Sequence, residues 1–128
     1  ILLSYCCRPS AMLNHYVRVV RPELLDGATL IADEAMVAAI AKGPVSVAIE
    51  ADKSAFQLYK GGVLDNAGCG TQLDHGVLVV GYGTENGVGY WKVKNSFGAA
   101  WGESGYFKIA RGSDTCGVED NVVVPIAA

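Results

Sequence analysis

The sequence predicts an α+β domain: one main helix, then several antiparallel strands forming a β-sheet or partial barrel. Three observations predict it. Helical periodicity is confined to one stretch, Asp33 to Lys42. β-branched and aromatic runs recur from Val45 to the C-terminus. A glycine-rich stretch, Gly83 to Gly89, separates two of those runs and suits a turn between paired strands.

In the first thirty residues, Cys6-Cys7-Arg8-Pro9-Ser10 reads as loop and His15 to Val20 as a strand, with Pro22 and Gly27 breaking the chain after it. Asp33 to Lys42 reads as the helix. Asp33 and Glu34 in its first turn and Lys42 in its last complement the macrodipole. Met36, Val37 and Ile40 make one apolar stripe, and Gly43-Pro44 is a stop signal. Val45 to Ile49 follows as a buried strand, and Ser54 to Tyr59 as a short helical turn ended by Gly61-Gly62. Beyond the loop around Cys69, His75 to Tyr82 and Tyr90 to Lys94 read as two strands paired through the glycine-rich turn. Gly105 to Ala110 and Val122 to Val124 are two further short strands.

Size and composition bound the function. The 128 residues suffice for one compact domain, and 51% hydrophobic against 18% charged residues excludes disorder. Net charge is −3 with no basic run, so no nucleic-acid partner is expected. The longest apolar run in the body of the chain, Gly76 to Val80, is strand-sized, so no membrane partner is expected either. The chain opens on Ile1 within an apolar stretch, which predicts a piece of a longer protein whose targeting segment lies elsewhere. None of Cys6, Cys7, Cys69 and Cys116 forms a C-x-x-C pair, so no metal site is expected. Neighbouring Cys6 and Cys7 meet disulfide geometry poorly. Cys69 and Cys116 could close a long loop, a bond contributing roughly 3–4 kcal/mol.

Several chemistries are excluded. Gly81-x-Gly83 lacks the third glycine and the βαβ context of a dinucleotide fingerprint. P-loop, H-E-x-x-H and G-x-S-x-G are absent. His75 stands at the mouth of one strand and Asn95 at the end of the next, and antiparallel pairing brings those ends together. On position alone, His75 reads more readily as a strand-end histidine with local hydrogen bonds, and Asn95 as a turn residue.

Larger motifs decide between the readings. Leu73-Asp74-His75-Gly76-Val77-Leu78-Val79-Val80-Gly81-Tyr82-Gly83 resembles the histidine-site motif of the papain/cathepsin family of cysteine peptidases. Tyr90-Trp91-Lys92-Val93-Lys94-Asn95-Ser96-Phe97-Gly98 with Trp101-Gly102-Glu103-Ser104-Gly105-Tyr106-Phe107 resembles its asparagine-site motif. Gly43 to Ile49 and Phe56 to Val63 resemble further segments, collinear with the family from about Asp33 onward. Residues 31–128 are thus similar to the C-terminal, right-hand β-rich half of a papain-like domain, and residues 1–30 match it poorly.

The resemblance implies a thiol endopeptidase that needs no metal or cofactor. His75 would be the general base and then acid, and Asn95 would fix its tautomer. Phe97 stands where the family carries a shielding tryptophan, so the apolar lid remains but its N–H donor is lost. Trp101 matches a second family tryptophan, a wall on the leaving-group side. Ala48, Leu73 and Asn121 would line the pocket for the side chain two residues before the cut, favouring apolar side chains over arginine. Cys69 and Cys116 match a family disulfide, which implies a lysosomal, vacuolar or secreted location.

The family nucleophile sits in a Gln-x-x-x-x-x-Cys segment that this sequence lacks. The implied partners are therefore a peptide substrate and an N-terminal half carrying that cysteine, and the chain alone is expected to be inert. Exposed apolar surface is expected where that half would dock. The alternative is a non-catalytic papain-fold homologue acting in binding or structure. Intact His75 and Asn95 favour the enzyme, and Phe97 favours the alternative.

Overall fold

A computed structural model describes residues 16–20, 32–65 and 68–126. Cys6, Cys7, Pro22 and Gly27 lie outside the described residues. Strand β1 spans Tyr16–Val20, and helix α1 spans Ala32–Ile40. Met36 is buried, and Val37 and Ile40 pack against the core, so the apolar stripe faces inward. The helix is shorter than the sequence suggests. Lys42 N–H bonds Ala39 O (3.0 Å) and Gly43 N–H bonds Ile40 O (3.1 Å), an i→i−3 tightening that ends the helix. Pro44 disfavours helical backbone at Gly43, which leaves Lys42 in a turn beyond the last helical residue.

Strand β2 (Val45–Ile49) alternates, with Val45, Val47 and Ile49 buried and Ser46 and Ala48 partly exposed. Helix α2 is a single turn, Ser54–Gln57, that buries Phe56; Leu58 and Tyr59 lie beyond it. A two-residue strand, β3 (Val63–Leu64), was not legible in the sequence. Then come β4 (His75–Glu85), β5 (Val88–Lys94), β6 (Tyr106–Ala110) and β7 (Val122–Ile126).

The expected turn over Gly83 to Gly89 contracts to Asn86-Gly87, because β4 runs through Gly83 to Glu85. Asn86 (φ 51°) and Gly87 (φ 80°) are both left-handed, as a two-residue type I′ hairpin requires. β6 begins at Tyr106, since Gly105 is itself left-handed (φ 90°), and β7 reaches two residues past the expected Val124.

Among the described residues, seven strands form one sheet in the order β1-β7-β2-β4-β5-β6-β3, curled as a half-barrel. Every pairing is antiparallel except β3 with β6, which is parallel and departs from the all-antiparallel expectation. One face carries Val47, Ile49, Val77, Val79, Trp91, Val93, Phe107 and Ile109, all buried. Non-directional burial of these side chains is the main stabilising term.

Candidate active site

The site grows from two strand ends. His75 opens β4 and lies opposite Ile49, the last residue of β2. Asp74 fastens that corner: its N–H donates to Ile49 O (3.0 Å), and its Oδ1 accepts the N–H of Ala51 (2.8 Å). Asn95 follows the last residue of β5, and its N–H donates to Gly105 O (3.0 Å). Gly105 suits this post because a Cβ there would stand 3.3 Å from Gly98 O. A bulge between Val79 and Gly81 adds one residue to β4 against β5 and resets which side chains face each other toward the His75 end.

These anchors bring His75 Nε2 to 2.8 Å from Asn95 Oδ1. Oδ1 also accepts the N–H of Ser96 at 2.8 Å. An atom that accepts a backbone N–H is the carboxamide oxygen, so Nε2 must carry the ring proton. In the neutral ring, Nδ1 is then the lone-pair nitrogen. Asn95 is buried, and its Nδ2 has no hydrogen-bond partner among the described residues.

Aromatic rings surround the pair. Phe97 stacks on the imidazole (centroids 5.0 Å, planes 30° apart) while remaining 42% exposed, so it covers one ring face and leaves an open route. Trp101 stands edge-on to Phe97 at 5.4 Å and donates its indole N–H to Gln57 O at 3.0 Å. Phe56, which no sequence motif singled out as a site residue, meets both His75 and Phe97 edge to face, with ring centroids 6.1 Å from each. Its sequence signal is its place at the head of the Phe56 to Val63 segment that resembles the family, which does not by itself mark a site residue.

The three expected pocket residues are placed more loosely. Ala48 N–H donates to Asn121 O (3.3 Å), which joins β2 to the segment leading into β7. Leu73 packs on Gly117, where a Cβ would meet its Cδ2 at 2.6 Å. All three are partly exposed. Cys69 and Cys116 form a disulfide with Cα atoms 5.1 Å apart. It borders a cleft of about 350 Å³ lined also by Asp65, Gly70, Thr71, Ser113, Asp114 and Thr115, which includes neither His75 nor Asn95.

Residues 7–126 match the profile of the papain family cysteine protease. Among curated proteins, cysteine proteinase RD21A of Arabidopsis thaliana is 48% identical over 113 residues, covering 85% of this chain and 24% of its own length. Cathepsin L of Sarcophaga peregrina is 57% identical over 90 residues, covering 67% of this chain and 26% of its own. The chain thus spans about a quarter of these relatives. Among solved structures, bromelain from Ananas comosus in complex with the E64 inhibitor superposes with TM-score 0.70 at 42% identity, covering 75% of this chain and 46% of that one. The Carica candamarcensis cysteine protease CMS1MS2 in complex with E-64 gives TM-score 0.71 at 39% identity, covering 87% and 48%.

Proposed function

The chain belongs to the papain family of cysteine proteases, and from that premise we propose that residues 31–128 are the C-terminal half of a thiol endopeptidase. His75 serves as its general base and acid, and Asn95 as the group that orients it. The observation that carries this reading is the doubly accepting Oδ1 of Asn95, which holds Nε2 protonated and frees Nδ1.

The nucleophilic cysteine is supplied by an N-terminal half. Its thiol proton passes to Nδ1, and the thiolate adds to the peptide carbonyl carbon. The tetrahedral intermediate collapses with expulsion of the amine, which takes the proton back from His75. Water, giving a proton to His75, then adds to the thioester carbonyl carbon; the C–S bond breaks, the peptide acid leaves, and the thiolate is restored beside protonated His75. Phe97 shields the Asn–His bond from water, and Trp101 walls the leaving-group side. Ala48, Leu73 and Asn121 line the pocket for the side chain two residues before the cut, where an apolar group is preferred to arginine. Peptide is the substrate class, and the disulfide supports residence in a lysosome, vacuole or secreted space.

The protein expressed with its upstream coding sequence should hydrolyse a dipeptidyl fluorogenic substrate. His75→Ala should lower kcat by at least about a thousandfold. The 128-residue chain alone should be inert, and turnover by it that vanishes with His75→Ala refutes the division of labour. One observation favours a second reading, a non-catalytic homologue: Phe97 offers no ring N–H where the family carries a tryptophan. Serine or glycine at the nucleophile position, six residues after the upstream glutamine, decides for it.

A further inference from the structure

Among the described residues, the imidazole of His75 is held by one hydrogen bond, through Nε2. A single bond fixes one ring atom, while the torsion that sets the ring plane is broad and roughly two-fold. Something else must choose which way Nδ1 points. Phe97 covers a face of the ring, yet it sits on a loop and is 42% exposed, so it is a poor reference by itself.

Phe56 supplies what Phe97 lacks. Its side chain is fully buried. It meets His75 at 6.1 Å with planes 61° apart, and Phe97 at 6.1 Å and 69°. It therefore touches both rings of the stack at once, and both distances lie within the range for edge-to-face pairs. Its own position is over-determined. Trp101 lies 5.1 Å away and Phe107 5.0 Å, and the same one-turn helix holds Trp101 through the Gln57 carbonyl.

We infer that Phe56 is a positioning residue: a buried wedge against the His75–Phe97 stack that fixes the imidazole plane, keeps Nε2 on Asn95 and aims Nδ1 outward. The inference rests on His75 being the base, but its structural half is measurable without activity. Phe107→Leu is the control. Phe107 is equally buried and touches Phe56 and Trp101, with no ring contact to His75 among the described residues.

Two measurements test it. In nitrogen-15 spectra of the 128-residue chain, Phe56→Leu should mix a second tautomer into the His75 signal and move its ring-proton shifts, whereas Phe107→Leu should leave both in place. In the protein carrying the upstream half, Phe56→Leu should cut kcat by about 10–100-fold at little changed KM, the scale of a sub-ångström misplacement. Phe56→Met, whose flexible thioether repacks an irregular gap more readily, serves if the leucine variant does not fold. Unchanged His75 signals in the Phe56 variant, or equal changes with Phe107→Leu, overturn the inference. A protein inert in all forms while the spectra change as expected defeats the peptidase reading and leaves the positioning role standing.

Discussion

Asp114 adopts a left-handed conformation (φ 47°), and its Oδ1 accepts the N–H of Glu119 at 2.9 Å. Burial raises its pKa above the ordinary 3.8; the Glu119 hydrogen bond opposes the rise, and the nearby Asp120 and Glu119 charges add to it. The folded state therefore holds this proton more tightly than the unfolded chain does. The contribution to stability is full below the unfolded pKa and is lost as pH climbs through the raised value. Asp114→Asn keeps the acceptor, suits left-handed backbone and removes the ionisation. The melting-temperature advantage of Asp114→Asn over the parent should widen from about pH 4 to about pH 7. A difference that stays flat with pH would assign the whole effect to backbone conformation. Asp114 was not legible in the sequence, because its environment is made by segments that fold around it. The meeting of His75 and Asn95 was legible because two paired strands with a turn between them bring those ends together, but their reading as a site came from the longer motifs around them, since position alone suits a strand-end histidine and a turn residue.

The β4–β5 hairpin shows where element boundaries escaped the sequence. Glycines at positions 83, 87 and 89 read together as one turn, yet only Gly87 turns the chain. Gly83 leaves room for the Tyr90 hydroxyl, 2.7 Å from where a Cβ would stand, and Gly89 for the Arg111 side chain, whose Nε would lie at 3.1 Å. Cross-strand packing and turning both select glycine, and a one-dimensional pattern does not separate them. The Asn86-Gly87 dipeptide was the more specific signal. Gly87→Ala should cost about 1–2 kcal/mol, the left-handed penalty for a Cβ. It should appear as a lower denaturation midpoint with an unchanged m-value. Gly87→Asn should recover part of the loss, which a simple steric clash would not allow.

At the scale of the molecule, the described residues show little of an extended apolar docking face. Leu58, Tyr82 and Phe97 are the exposed large apolar residues among them, and Tyr82 stands seven residues along β4 from His75, roughly 20 Å away. What unites the site end of the sheet is covalent. The Cys69–Cys116 bond spans 47 residues and ties the approach to β4 to the 3-10 turn at Thr115–Gly117. From there Cys116 O accepts the N–H of Glu50 (2.8 Å) just past β2, and Gly117 packs on Leu73, two residues before His75. Opening a loop of 47 residues should cost about 4 kcal/mol, a large share of the roughly 5–15 kcal/mol that holds a domain together. Replacing both cysteines by serine should therefore lower the unfolding midpoint sharply. Amide exchange then separates two mechanisms. If the bridge also braces the folded corner, the Ala51 and Asp74 amides should lose protection more than those of Trp91 and Val93 in the sheet centre. Equal loss at all four would mean that the bond acts only by restricting the unfolded chain, and that non-covalent contacts, the two Asp74 hydrogen bonds among them, hold the corner from which His75 projects.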